Sequence, residues 1–207
     1  MKKTSGFTLI VSSPSGGGKT TVVNALLRED PLITRIVTCT SRAPRLGEKD
    51  GMDYNFWNRA RFEREIKNGG MLEHAVVHGN YYGVPRKPFE KAMAQGKIPV
   101  LVIDVQGART VSKIFREAAV LAFVLPPDWK TLERRLLGRK DGTTDISLRL
   151  RTARKEIAAA KRYGYMVVNE DVDRTVGELK AIITAEKMKT VRQIKRMKNT
   201  ADGYKFY

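Results

Sequence analysis

The stretch Ser13-Pro14-Ser15-Gly16-Gly17-Gly18-Lys19-Thr20-Thr21 brings together the residue types that hold a polyphosphate. Consecutive glycines let a backbone turn its N–H groups inward around phosphate oxygens, and a helix starting behind them adds the positive end of its dipole. In such a loop Lys19 reaches the β- and γ-phosphates of a nucleoside triphosphate as a point charge, and the Thr20 hydroxyl ligands Mg²⁺. The usual spacing is G-x-x-x-x-G-K-[ST]; here Ser13 takes the place of the first glycine. That glycine eases a turn, so a small side chain is tolerable there.

Arg42 and Arg45 lie three apart in a segment holding Pro44 and Gly47, with Tyr54 nine residues on. Two arginines on one loop suit a bidentate clamp on a phosphate dianion, with the phenol as an extra donor. Taken alone, surface arginines are more often solvated. Glu73 offers a carboxylate able to accept two hydrogen bonds from a base edge with adjacent N–H donors, the pattern guanine presents. His74 and His78 are four apart in strand-like sequence, a poor metal geometry. Asp104 lies near the end of an apolar run, where open α/β sheets place ligands and Mg²⁺.

These groups need a scaffold. Thr8-Leu9-Ile10-Val11 reads as a buried strand and residues 22–28 as an amphipathic helix, so the glycine-rich stretch falls between strand and helix. Residues 36–40 have strand character, 59–68 read as a short helix closed by Gly69-Gly70, and 71–77 as a strand. Gly79-Asn80-Tyr81-Tyr82-Gly83-Val84-Pro85 reads as a turn-rich loop, followed by a helix over 87–95. The apolar runs 98–105 and 120–125 suit parallel strands buried on both faces, with strand and helix alternating as βαβ units. Asp128 N-caps a helix to Leu137. A basic, glycine-containing segment over 134–142 leads to a helix opened by Ser147 and carrying Arg149, Arg151 and Arg154. Basic residues on both sides of a hinge suggest a lid that folds over phosphates; the alternative is an exposed helical hairpin. Residues 166–169 form the last strand. The closing helix, from about residue 174, sets Val176, Leu179, Ile182 and Ile183 at helical spacing, with Glu186 as its polar edge.

A chain of 207 residues supports one full core with inserted lobes. No apolar run approaches bilayer length, and Met1-Lys2-Lys3 is followed by too few apolar residues for a secretory signal, so a soluble cytoplasmic protein is expected. The lone Cys39 excludes an internal disulfide. A formal charge of +17 admits nucleic acid, anionic membrane or polyanionic small substrates. Lys180, Lys187, Lys189, Arg192, Lys195, Arg196 and Lys198 make the last third the most basic. They read equally as a solvated helix face or as a weak, salt-sensitive nucleic-acid patch.

In order, these motifs resemble the guanylate kinases of the nucleoside monophosphate kinase group. The resemblance covers roughly residues 6–186. It is carried by the glycine-rich loop, Thr38-x-x-x-Arg42-x-x-Arg45-x-Gly47-Glu48 with Tyr54, Glu73, Gly79-Asn80-Tyr81-Tyr82-Gly83, Ile103-Asp104-x-Gln106-Gly107, Arg135-Leu136-x-x-Arg139 and Val168-Asn169. It implies an α/β P-loop nucleoside monophosphate kinase fold, with a parallel five-stranded sheet flanked by helices, over residues 5–186. The core would comprise 5–34, 89–127 and 159–186, with an inserted GMP-binding lobe over 35–88, a lid over 128–158 and a basic extension over 187–207. The resemblance further implies that ATP is held by Ser13, Pro14, Ser15, Gly16, Gly17, Gly18, Lys19, Thr20, Thr21 and Asn169, with Mg²⁺ on Thr20 and the nucleotide phosphates. Thr38, Arg42, Arg45, Tyr54 and Tyr82 would hold the GMP phosphate, and Glu73 and Asp104 would read guanine. Lys19 with Arg135, Arg139 and Arg149 of the lid would be catalytic. The implied reaction is ATP + GMP ⇌ ADP + GDP, with dGMP as a second acceptor, for GTP and dGTP supply and GMP recycling. An acceptor phosphate that is already anionic needs positioning and electrostatic stabilisation rather than a general base.

Val84 and Val102 depart from the family pattern, which has a hydroxyl near guanine and the first acid of an Asp-Ile-Asp strand end. The loop between Arg139 and Arg149 is about one residue short, which leaves Arg151 open as the lid residue in place of Arg149. Two alternatives stand beside this reading: a catalytically silent guanylate-kinase-like binding module, and a nucleic-acid-binding protein. Retention of Lys19 and the lid arginines argues against the first.

Overall fold

The computed structural model describes residues 6–77, 79–138 and 146–197. The chain opens with β1 (Thr8–Ser12), α1 (Lys19–Glu29) and β2 (Ile33–Arg35). It then builds a lobe from β3 (Cys39–Thr40), β4 (Asn55–Phe56), α2 (Arg59–Lys67), β5 (Met71–Val77) and β6 (Asn80–Pro85). α3 (Arg86–Ala94), β7 (Ile98–Val102), α4 (Val105–Phe115) and β8 (Ala119–Leu125) return to the core, and α5 (Trp129–Leu137) packs on α6 (Ile146–Ala159). β9 (Tyr165–Val168), α7 (Val172–Met188) and α8 (Thr190–Met197) complete the described chain.

Five strands pair in parallel in the order β2-β7-β1-β8-β9, the sheet the sequence leads one to expect. β1 is buried along its whole length, as a strand covered on both faces must be. Its pleat sends Leu9 and Val11 into a cluster with Val22, Leu26, Leu179 and Ile183 of α1 and α7. Ile10 faces the other way, toward Phe89, Ala92 and Val111 of α3 and α4. Adjacent strands β1 and β7 therefore lead into helices on opposite faces, and the crevice at their C-terminal ends is where ligands bind in open α/β sheets. The glycine-rich loop follows one of these strands and Asp104 the other. Among the described residues, no helix is long and apolar enough to cross a membrane.

The lobe has a four-stranded sheet in the order β4-β3-β6-β5. Here the structure corrects the sequence reading twice. Residues 36–40 are not one strand: Ile36 still bonds to the core through Val100 O at 3.0 Å, whereas Cys39 and Thr40 pair with β4 and β6. Of residues 79–85, read as a loop, Asn80–Pro85 form a strand, and only Gly79 (φ 78°) belongs to a turn. Gly83 belongs inside that strand because a Cβ there would meet Glu73 O and the Met71 methyl, both at 2.6 Å. The glycine signals close approach between strands rather than a turn.

Two further corrections concern the ends of elements. β7 stops at Val102, and Val105 begins α4; the apolar run continues because the face of the helix is itself apolar. Glu186 is no polar edge. It is 2% exposed and accepts from Tyr165 Oη (2.6 Å), Lys189 Nζ (2.6 Å) and Arg192 Nη2 (2.7 Å). Arg192, which the sequence reading assigned to a solvated face or basic patch, is buried there, donating to Glu117 O and lying over the Phe7 ring. α8 folds back and ties the end of α7 to the sheet.

Candidate active site

Gly16 and Gly18 hold φ values of 85° and 89°, the left-handed region where a side chain is strained. A Cβ on Gly17 would meet Ser13 Oγ at 2.7 Å. Ser13 itself needs no glycine, since the one described non-glycine residue with positive φ is Arg116. The Ser13 hydroxyl is buried and donates to Pro14 O at 2.9 Å. Asn169, 4% exposed, donates from Nδ2 to Gly17 O at 3.1 Å and accepts from Thr175 Oγ1 at 3.3 Å, so it braces the loop from behind. α1 then starts at Lys19 with no side-chain cap, leaving its first N–H groups facing the loop's concavity.

Three cavities surround this loop. The first, of about 370 Å³, brings together Thr38, Tyr54, Glu73, Tyr82 and Asp104 with Lys19. The second, of about 310 Å³, is lined by Ser13 through Thr21 with Arg35, Arg45, Glu48 and Asp53. The third, of about 460 Å³, joins Arg135 and Asn169 to Gly16, Gly18 and Thr21. Arg45 therefore stands on the P-loop side, apart from Thr38, Glu73, Tyr82 and Asp104, and Tyr54 lines both cavities. Arg42 lines none of the three. Its guanidinium makes a bidentate pair with Glu48, at 2.9 Å for each bond, and donates from Nε to Tyr82 Oη at 3.3 Å. Burial would raise the Glu48 carboxyl, but hydrogen bonds from Arg42 and the Arg45 N–H hold it below the usual carboxylate range. Arg42 thus fixes Tyr82 and, with its ring contact at 5.6 Å, Tyr54. Arg135 Nη1 is buried without a hydrogen-bond partner among the described residues, close to where a Cβ on Gly18 would stand. Arg149 is on α6, half-buried; Arg151 on the same helix is exposed, and Arg139 lies outside the described residues.

Glu73, on β5, is 6% exposed and its Oε2 has no partner among the described residues. Burial, with a smaller push from the charge of Asp104, raises its carboxyl to about 7. Asp104 N-caps α4, with Oδ1 accepting Gln106 N at 2.9 Å and Gly107 N at 2.8 Å. Burial likewise raises the Tyr54 phenol. Val84 does not line the cavity; it is fully buried among Ile10, Leu72 and Phe89. No group of three His, Cys, Asp or Glu suited to a metal exists among the described residues, and His78 lies outside them.

Sequence reasoning missed Glu156, which lines both main cavities from α6, and Thr152 one turn before it. Glu156 reaches the P-loop across 141 positions of the chain, so no local pattern marked it.

A glycine-rich loop between a buried parallel strand and a helix, with a second cavity meeting it at the P-loop lysine, defines an α/β kinase of the P-loop class. Comparisons with known proteins agree. The model of the guanylate kinase family matches residues 5–186. The chain is 45% identical to the guanylate kinase of Anaplasma phagocytophilum (strain HZ), over 94% of this chain and 93% of that one. It is 44% identical to that of Rhodospirillum rubrum, over 91% and 87%. The crystal structure of guanylate kinase from Anaplasma phagocytophilum superposes with a TM-score of 0.77 at 41% identity, covering 92% of this chain and 90% of that one. The chain belongs to the guanylate kinase family, and its reaction is the ATP-dependent phosphorylation of GMP to GDP.

Proposed function

We propose that the transfer takes place at Lys19, with GMP in the cavity of Glu73 and ATP on the P-loop. The observation that carries this is that Lys19 lines both cavities, so one ammonium faces donor and acceptor phosphates together. Guanine enters beside Glu73, whose unpaired Oε2 accepts base N–H groups, and Asp104 adds a second acceptor. The hydroxyls of Thr38, Tyr54 and Tyr82 donate to the GMP phosphate, and Arg42 holds the two phenols in place while adding positive charge behind them. Arg45 closes the clamp from the P-loop side.

The acceptor phosphate oxygen attacks the γ-phosphorus and the bond to ADP breaks. Lys19, Arg135, Arg139 and Arg149 stabilise the charge on the transferring group, and no residue has to remove a proton. Thr20, exposed on the first turn of α1, presents a hydroxyl beside the phosphate seat, a hard oxygen donor that suits Mg²⁺. Mg²⁺ held by Thr20 and phosphate oxygens would neutralise polyphosphate charge. Asn169, buried against Gly17, shapes the floor on which adenine rests. The protein works in the cytoplasm, supplying GDP and dGDP for the guanine triphosphates.

The test is a coupled ADP-release assay with GMP, dGMP, AMP, UMP and CMP at saturating MgATP. GMP and dGMP are expected to be used and the other three rejected by at least about 10²-fold in kcat/KM, since unpaired buried acceptors penalise the wrong base. Equal use of AMP would overturn the role of Glu73.

A further inference from the structure

Glu156 belongs to no motif in the sequence and has no role in the transfer described above, yet it is an acid standing between the two phosphate sites. From α6 it lines the GMP cavity and the P-loop cavity, as Lys19 does. Its Oε2 accepts the backbone N–H of Ser15 at 3.3 Å. That amide belongs to the loop whose N–H groups cradle phosphate oxygens. The positive charge acting most strongly on its carboxylate is the Lys19 ammonium, the group that serves the transferred phosphoryl. A carboxylate on a P-loop N–H and beside the P-loop lysine has the donors, the sign of charge and the place of a phosphate oxygen. Two anions crowded into one poorly solvated niche repel strongly.

We propose that Glu156 is a built-in competitor for the ATP site, holding Ser15 N–H and neutralising Lys19 until a polyphosphate displaces it. Displacement also moves a wall of the GMP cavity, because Thr152 and Lys155 of α6 line that cavity beside Glu156. ATP entry and reshaping of the acceptor site are then one event. The proposal rests on the reading of the P-loop as the ATP seat.

Binding isotherms for ATP, ADP and adenosine, measured on wild type and on Glu156→Gln, test it. Glutamine keeps the shape and removes the charge, so Kd for ATP and ADP should fall about threefold to tenfold, the factor by which occupancy by an internal competitor reduces apparent affinity. Adenosine, which has no phosphate, should bind equally to both proteins. Glu156→Asp keeps the charge on a shorter stem and should fall between them. The groups facing Glu156 are Ser15 N–H, Lys19, Asp104 and Tyr163, with Lys155, Arg35, Arg45, Glu48, Asp53 and Tyr54 on the shared cavity walls. Burial pushes its carboxyl up against the Lys19 charge and the Ser15 hydrogen bond. Protonation as pH falls therefore weakens the competitor, and the ratio of wild-type to Gln Kd should shrink toward one at acidic pH. Equal or weaker ATP binding by a folded Glu156→Gln protein would overturn the proposal. The underlying reading fails separately: Lys19→Ala with unaltered ATP affinity would overturn the P-loop seat itself.

Discussion

The P-loop and the cavity we assign to GMP meet at Lys19 but are built by opposite means. The P-loop is one contiguous stretch whose donors are backbone N–H groups, exposed by glycines at φ 85° and 89°. The GMP cavity draws Thr38, Tyr54, Glu73, Tyr82 and Asp104 from separate segments, and its recognition lies in side chains buried at some cost. Backbone donors are fixed by local conformation and indifferent to pH. A buried carboxylate is selective because it is uncomfortable: Glu73 Oε2 lacks a partner among the described residues, which a base is proposed to supply.

The difference is sharpest where each site loses the charged side chain its proposed role depends on most. Lys19→Ala should lower kcat by about 10²–10³ while Tm stays within a few degrees, because Lys19 is only half-buried and the loop is held by Asn169 and Ser13. Steady-state rates with a thermal melt check this, and a near-normal rate would break the pairing of the two cavities. Glu73→Gln places a donor among the guanine donors and should reduce kcat/KM for GMP by about 10- to 100-fold, the worth of hydrogen bonds to a charged acceptor. Its ATP affinity should be unchanged.

Acidity separates the sites further. In the proposed role Glu73 is ionised to accept guanine N–H groups, and burial with the Asp104 charge raises it to about 7. Below that pH the ionised fraction drops tenfold per unit, so kcat/KM for GMP should fall with unit slope, a limb that Glu73→Gln abolishes. The stability sign runs the other way. A carboxyl raised above its unfolded value destabilises the folded protein once ionised, so the penalty is absent below the unfolded pKa and complete above about 7. Glu73→Gln should therefore raise Tm at pH 8 and leave it unchanged at pH 4. An equal shift at both would assign the effect to packing.

Arg45 probes the boundary between the sites, since it was read as a GMP-phosphate residue and lines the P-loop cavity. Arg45→Lys removes the planar fork and should raise KM for GMP about threefold to tenfold with little change for ATP. A change confined to ATP would exchange the two phosphate assignments.

The contrast also explains what the sequence disclosed. The P-loop was legible because strand, glycines, lysine and helix are adjacent in the chain, and the central sheet because strands buried on both faces leave unbroken apolar runs. The lobe was harder: β3 and β4 are two residues each, too short for a periodic signal, and the glycines around β6 resemble turn punctuation. Glu48 stood in the motif beside Arg42, but their bidentate pairing depends on how the loop closes. Glu156 meets Ser15 across 141 positions, and Glu186 is buried only because α8 returns to it. Local pattern carries local chemistry; contacts made by the tertiary fold leave no mark in spacing.

The smallest expected effect is at Val84, where this chain leaves its family's pattern. The resemblance puts a hydroxyl near guanine at this position, but Val84 is fully buried among Ile10, Leu72 and Phe89 and lies opposite Glu73 in the register of β5 and β6. Val84→Thr is nearly isosteric and exchanges a methyl for a hydroxyl in an apolar cluster, which costs about 1–3 kcal/mol when no acceptor is supplied. Tm should fall by a few degrees while KM for GMP stays within about twofold, the change expected of a residue that packs behind the site without touching its ligand. A tenfold drop in KM with GMP but not ATP would show that bound GMP turns this face of β6 toward the base, and would move Val84 from the core of the lobe into its recognition surface.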